Sequence, residues 1–234
     1  MISGNSRMRA PKSRIVNALS VDVEDYFQVA GFADRVAPSQ WASFSLRVER
    51  NTEKILDLFG QAGVRATFFV LGWIAERLPD LVRKIDESGH EVACHGYSHR
   101  LIYNQYPKQF QRETRYTKSL LEDITGQRVR GYRAASYSIT ERSLWALDIL
   151  AREEFEYDSG VVPALHDRYG IPGANPFPHV IRTSSGDLME FPPSTLRVFA
   201  GRIPIGGGGY FRLYPYAFTR WALERVNARG LPFI

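Results

Sequence analysis

Short apolar runs alternate with amphipathic stretches along the chain, and the alternation predicts most of its elements. Ile15 to Val23 reads as a first buried strand that ends in acids. An irregular aromatic stretch follows from Tyr26 to Phe44. From Val48 to Phe59 the apolar positions recur at helical spacing, with Ile55, Leu56 and Phe59 on one face and Gly60 and Gly63 bracketing the stop. Arg65 to Leu71 is a second buried strand. Pro79 opens a helix to Ser88, closed by Gly89, and His90 to Cys94 is a third strand. Pro107 opens a helix to about Ile124, closed by Gly126. A strand over Val129 to Arg133, a helix over Ser143 to Leu150 and a strand over Phe155 to Asp158 complete the repeating part.

The second half is less regular. Residues 161–178 are rich in proline and glycine and read as a long loop. Val180 to Thr183 and Leu188 to Phe191 form a hairpin around Gly186-Asp187. Gly206 to Gly209 reads as a mobile substrate loop rather than a nucleotide loop, because no Lys-Ser or Lys-Thr follows it. Pro215 to Ala228 is a last helix, and Leu231 to Ile234 begins an apolar strand. Strands alternating with helices predict a parallel α/β architecture, and polar residues gather just after strand ends. A distorted or incomplete (β/α) barrel fits this pattern better than a doubly wound sheet, which stays open as the alternative.

The 234 residues, 44% of them apolar, suffice for one sizeable core. The expected organisation is a basic N-terminal tail over 1–14 and one domain over 15–234. A net charge of +5, with dispersed basic residues, gives no nucleic-acid footprint. The single cysteine excludes an internal disulfide. Residues 1–14 lack the apolar core of a signal peptide, and no apolar run reaches transmembrane length, so the expected location is the cytoplasm.

Two segments carry the chemistry. Cys94-His95-Gly96-Tyr97-Ser98-His99 places two of the five histidines four apart, directly after a strand. Asp22-Val23-Glu24-Asp25 lies at a comparable strand end. In an extended strand Asp22 and Glu24 point the same way and Asp25 points away. Two imidazoles and one carboxylate make a three-ligand divalent metal site with open positions, and the second carboxylate can accept a proton from water. Strand alternation favours Glu24 over Asp25 as the metal carboxylate. Cys94 reads as a small buried residue rather than a further ligand. Trp73, Trp145 and Trp221 sit in helical patterns and read as core, whereas Trp41, Tyr137 and Tyr210 lie in loops.

These segments resemble the polysaccharide deacetylases of carbohydrate esterase family 4, with the nodulation-type deacetylase domain. The resemblance runs from about Ala18 to the C-terminus. Ser20-Val21-Asp22-Val23-Glu24-Asp25 is similar to the family's first motif, with Val23 where a second aspartate is usual. His95-Gly96-Tyr97-Ser98-His99 resembles the second, with Gly96 where Ser or Thr is usual. Gly131-Tyr132-Arg133-Ala134-Ala135 resembles the third, with Ala135 in place of proline. Thr67 to Trp73, Tyr169-Gly170-Ile171-Pro172 and Gly208 to Arg212 resemble a subgroup that accompanies bacterial exopolysaccharide and exosortase systems.

The resemblance implies a metal-dependent N-deacetylase. Asp22 would act as base and Arg133 as its orienting partner, with Glu24, His95 and His99 as metal ligands. Tyr137, Asp158 and Tyr210 would contact the substrate, and the loop aromatics Trp41, Tyr137 and Tyr210 would be candidates for stacking on its sugar rings. The implied metal is zinc, with cobalt, nickel, manganese or iron(II) as alternatives, and the implied partner is an N-acetylated polysaccharide or oligosaccharide. The family's last motif supplies a histidine acid from a strand end like Leu231 to Ile234, so the expectation is a truncated chain, or one in which His166 or His179 takes that role. Two rival readings remain: a catalytically silent carbohydrate-binding module on the same fold, and a non-haem iron oxygenase, whose ligand set is the same.

Overall fold

A strand covered by helices on one side buries apolar side chains toward them and leaves its alternate positions for the other face. In the computed structural model, which describes residues 15–199 and 201–234, both faces are used in this way. The expected basic tail over 1–14 lies outside the described residues. β1 (Ser20–Val23), β2 (Thr67–Val70), β3 (Glu91–Cys94), β4 (Gly131–Tyr132) and β5 (Tyr157–Asp158) pair in chain order, all parallel. β6 (His179–Thr183) and β7 (Gly186–Glu190) form the expected hairpin, and β7 joins β5 in parallel, giving the order β1-β2-β3-β4-β5-β7-β6. Residues 233–234 lie between Ala18 and Ser194: Ala18 N–H donates to Phe233 O and Ser194 N–H to Ile234 O, each at 3.0 Å. Leu231 to Ile234, expected to begin a strand, forms no regular ladder there, and the architecture is the incomplete barrel.

The outward face of the strands (Val23, Phe68, Val70, Val92, Cys94) builds one core with the helices. These are α1 (Val48–Ala62), α2 (Gly72–Arg77), α3 (Pro79–Glu87), α4 (Pro107–Thr125) and α5 (Trp145–Arg152). Leu56, Ile74, Ile85, Phe110, Leu121 and Leu150 supply their side of the contact, each worth about 1.5–3 kcal/mol on full burial. The sequence pattern missed α2, whose Gly72 reads as a breaker. A Cβ on Gly72 would meet Thr117 Oγ1 of α4 at 2.5 Å, so glycine lets this short helix seat directly on α4. Trp41, expected in a loop as a sugar platform, is instead buried edge-on against Trp73, with ring centroids 5.4 Å apart. Trp221, expected in the core, is 47% exposed.

A second, smaller core was not foreseen. β8 (Thr195–Val198) and β9 (Gly201–Pro204) form an antiparallel hairpin, and Leu196 and Ile205 pack there on Ala222 of α7 (Tyr216–Asn227). The four glycines expected as a loop are divided: Gly206 and Gly207 remain loop, while Gly208 and Gly209 open α6 (Gly208–Leu213). Among the described residues no helix is long and apolar enough to cross a membrane.

The inner face of the sheet is polar and tightly filled. Gly131 belongs to it, because a Cβ there would meet the Tyr157 ring at 2.0 Å. Gly131→Ala is therefore expected to destabilise the fold by about 1–3 kcal/mol, the usual range for overpacking. The urea midpoint read by circular dichroism measures it, and an unchanged midpoint would show that Tyr157 moves aside freely.

Candidate functional site

β1, β3, β4 and β5 all end at one rim of the sheet, and their inner-face residues converge there. Ser20 and Asp22 share a face of β1 as alternation requires, and both accept hydrogen bonds from Arg133 Nη1, at 2.8 and 2.9 Å. Arg133 follows β4 and is 4% exposed. Its Nε donates to Ser159 O at 3.1 Å and its Nη2 to Ser159 Oγ at 2.9 Å, and the guanidinium carbon lies 4.1 Å from the centre of the Phe69 ring. Burial pushes the Asp22 carboxyl up, but the charge and hydrogen bond of Arg133 oppose it, and the group is held below its ordinary range.

His95 follows β3, and its Nδ1–H donates to the Arg133 carbonyl at 2.8 Å. That bond fixes the tautomer and leaves Nε2 free as a lone-pair donor. Burial lowers the imidazole's pKa, so the ring is held neutral. Gly96, at φ +74°, turns the chain back after the strand, and His99 at φ +49° completes the turn. His99 Nε2 ends 2.8 Å from Glu24 Oε2. One donor atom each from Glu24, His95 and His99 falls within 4.8 Å of the other two.

Apart from that Glu24–His99 contact, three buried atoms of this trio (Glu24 Oε2, His95 Nε2 and His99 Nδ1) have no hydrogen-bond partner among the described residues. Orphaned buried polar atoms cost about 1–3 kcal/mol each, so their presence on three converging side chains calls for a further partner. Two imidazoles and a carboxylate are a donor set that suits zinc and its neighbours, and these residues fit a divalent cation.

Asp25 has a different task. Its Oδ2 accepts the N–H groups of Arg47 and Val48 at 2.6 and 3.0 Å, capping α1 from outside that helix, and its Oδ1 accepts Tyr26 N–H at 2.8 Å. Both Asp25 oxygens are spent on backbone, and Glu24 is the carboxylate whose oxygen lies within 4.8 Å of donor atoms of both histidines. Cys94 is fully buried on the opposite face of β3, its thiol pushed up to about 12 by burial.

Tyr137 stands at the rim, with its ring centre 5.7 Å from the Arg133 guanidinium carbon. It and Ser136 occupy consecutive left-handed positions, at φ +55° and +49°. With His99, three of the five non-glycine residues of positive φ among those described flank the cluster, the pattern of strain held at functional sites. Tyr210 does not touch Arg133, but its hydroxyl meets that of Tyr169 at 2.7 Å, and the Tyr169 ring packs edge-on against Tyr137 at 5.9 Å. Sequence reasoning missed Ser20, Ser159 and Tyr169. Strand alternation marks the first two, Ser20 two residues before Asp22 and Ser159 two residues after Tyr157 along the same inner face.

Asp158, expected to contact the substrate, needs correction. It is 0% exposed and points to the opposite face of β5 from Tyr157 and Ser159. There it stands in register with Glu190 of β7, also 0% exposed; Asp158 Oδ2 accepts Gly160 N–H and Glu190 Oε1 accepts Val161 N–H.

Two family models match the chain. Residues 38–152 match the polysaccharide deacetylases, and residues 159–234 match a family described as a domain of unknown function, DUF3473. The peptidoglycan-N-acetylglucosamine deacetylase of Bacillus cereus is 34% identical over 98 residues, 42% of this chain and 36% of that protein. A chitooligosaccharide deacetylase of Rhizobium leguminosarum bv. trifolii is 32% identical over 109 residues, 42% of this chain and 51% of that one. The chain thus spans about a third to a half of these relatives' lengths. Among solved structures, a Mycobacterium smegmatis protein assigned to the polysaccharide deacetylases superposes with a TM-score of 0.57 at 25% identity, covering 76% of this chain and 58% of its own. The class is an α/β protein with a strand-end site, and residues 38–152 are similar to the polysaccharide deacetylases.

The buried acid pair gives a test independent of catalysis. Burial raises both carboxyls, Asp158 to about 6 and Glu190 further, so the folded state binds protons that the unfolded chain releases. Stability from this pair is full below about pH 4 and is lost as pH rises through about 6. Glu190→Gln keeps the Val161 bond and supplies a neutral donor to Asp158. It is expected to flatten the fall in thermal midpoint between pH 5 and 8 and to gain on the order of 1–3 kcal/mol at pH 8. A variant whose midpoint falls as steeply as wild type would show that the pair does not hold a proton.

Proposed function

We propose that this chain is a metal-dependent hydrolase that removes N-acetyl groups from amino sugars of a bacterial polysaccharide. The convergence of Glu24, His95 and His99 beside an Asp22 already paired to Arg133 carries the reading. The names of the relatives, deacetylases of peptidoglycan and of chitooligosaccharides, support the reaction class. The resemblance of Gly208 to Arg212 and its companion segments to exopolysaccharide deacetylases supports an exopolysaccharide as the polymer.

In this reading Glu24, His95 and His99 hold the cation, zinc first among the candidates. When bound, such a cation supplies Lewis acidity toward the acetamide carbonyl and toward water. Asp22 takes the proton from the attacking water. Its carboxylate suits that role because Arg133 fixes one oxygen, Oδ1, and leaves Oδ2 facing His95 at 4.0 Å. Arg133 is itself locked by Ser20 and Ser159, so the base is held in place without a ligand of its own. The turn after Arg133 offers backbone N–H groups for the oxyanion. Those of Tyr137 and Ser138 are already bonded to Ala134 O and Ala135 O, which leaves Ala135 and Ser136 as the donors in this proposal. The C–N bond breaks once its nitrogen is protonated, and Asp22 is the group that then carries a proton.

Acetate release from N-acetylchitooligosaccharides by zinc- or cobalt-loaded protein tests the reading, together with metal content. Asp22→Asn is expected to keep one bound metal and lose at least about 10²-fold in kcat, within the range of general-base contributions. His95→Ala is expected to lose metal and turnover together. If Asp22→Asn lost its metal in parallel with activity, Asp22 would be a ligand and the division of roles would be wrong. Wild-type protein with bound metal and no acetate release from any N-acetylated glycan would overturn the activity.

A further inference from the structure

Six rings run outward from the site in an unbroken chain. Tyr137, at the Arg133 guanidinium, packs edge-on against Tyr169, whose hydroxyl meets that of Tyr210. Tyr210 stacks on Tyr214 at 5.6 Å, Tyr214 meets Phe218 at 5.0 Å, and Phe218 meets Trp221 at 5.7 Å. Five of the six come from residues 159–234, the segment matched by the family without an assigned function.

None of the six rings belongs to either apolar core. α7 packs through a different face, with Thr219 and Ala222 buried and Leu223 and Val226 against the β8–β9 hairpin. Phe218 and Trp221, three apart, share one side of α7, and Tyr214, which precedes the helix, packs against Phe218. Each remains at least partly exposed, Trp221 the most at 47%.

We propose that this ring chain is a track for the polymer: pyranose units on one side of the scissile N-acetyl group lie along Tyr137, Tyr169, Tyr210, Tyr214, Phe218 and Trp221. The inference rests on the deacetylase reading and extends it to the substrate's length. Aromatic rings offer apolar faces to the C–H faces of sugars, and the tyrosine hydroxyls offer polar ends for the ring hydroxyls. Continuity with the site selects a glycan over other occupants, since the chain of rings begins at the residue that faces Arg133. The segment 159–234 then serves as the polymer-holding half of the molecule, and the strand ends serve as its chemical half.

The test compares N-acetylchitobiose with N-acetylchitohexaose on metal-loaded protein, by acetate release and by calorimetric binding. Wild type is expected to bind the hexamer more tightly than the dimer. Trp221→Ala, at an exposed position, is expected to raise the hexamer's KM and Kd about tenfold with kcat and all dimer values unchanged, and Trp221→Phe to restore most of the loss. Equal hexamer affinity in wild type and Trp221→Ala would overturn the track, and so would an equal loss for dimer and hexamer. Length-dependent binding that needs Trp221, without acetate release from either sugar, would uphold the track and overturn the deacetylase reading instead.

Discussion

A single buried guanidinium organises the site. Arg133 reaches Ser20 and Asp22 on β1 and Ser159 beyond β5, while its own carbonyl receives the His95 ring. A buried charge without partners is expensive, and here each N–H bond also ties two strand ends together. Removing the guanidinium would strand the Asp22 carboxylate and free the loop that carries Ser159. Lysine would not replace it, since a point charge cannot reach Ser20 and Asp22 on β1 and Ser159 beyond β5 at once.

The rest of the site follows from how strands deliver side chains. Alternation gives the inner face of β1 to Ser20 and Asp22 and places Glu24 beyond the strand end. Asp25, one residue on, turns away to cap α1 and so pins the segment that carries Glu24. His95 leaves β3 on the inner face, and Gly96 turns the chain so that His99 comes back toward Glu24. Opposed faces of one short strand can therefore hold unrelated chemistry: Tyr157 and Ser159 serve the inner face, while Asp158 pairs with Glu190 on the other.

Much of this could be read from the chain before the structure. Helices marked by proline at the start and glycine at the stop were placed to within a few residues, as over Pro107–Thr125 and Pro79–Glu87. The five strands were found but drawn too long, because apolar runs extend past the residues that form ladders. α2 was missed since Gly72 signals a break, and only its contact with Thr117 of α4 explains the residue. The β8–β9 hairpin was missed although Leu196 and Val198 alternate with polar neighbours, because its turn carries no Asn-Gly signature. Asp158 was misassigned for a related reason: a strand-end acid looks like a site residue unless its face is known. Trp41 and Trp221 exchanged roles because loop or helix membership does not determine burial.

The central claim is that Glu24, His95 and His99 converge to hold one cation beside Asp22. Anomalous diffraction from zinc-soaked crystals tests it most directly. The account predicts one strong peak about 2.0–2.3 Å from an oxygen of Glu24 and a ring nitrogen each of His95 and His99, with Asp22 still on Arg133. A peak bound elsewhere, or one that draws Asp22 away from Arg133 as a ligand, would contradict it.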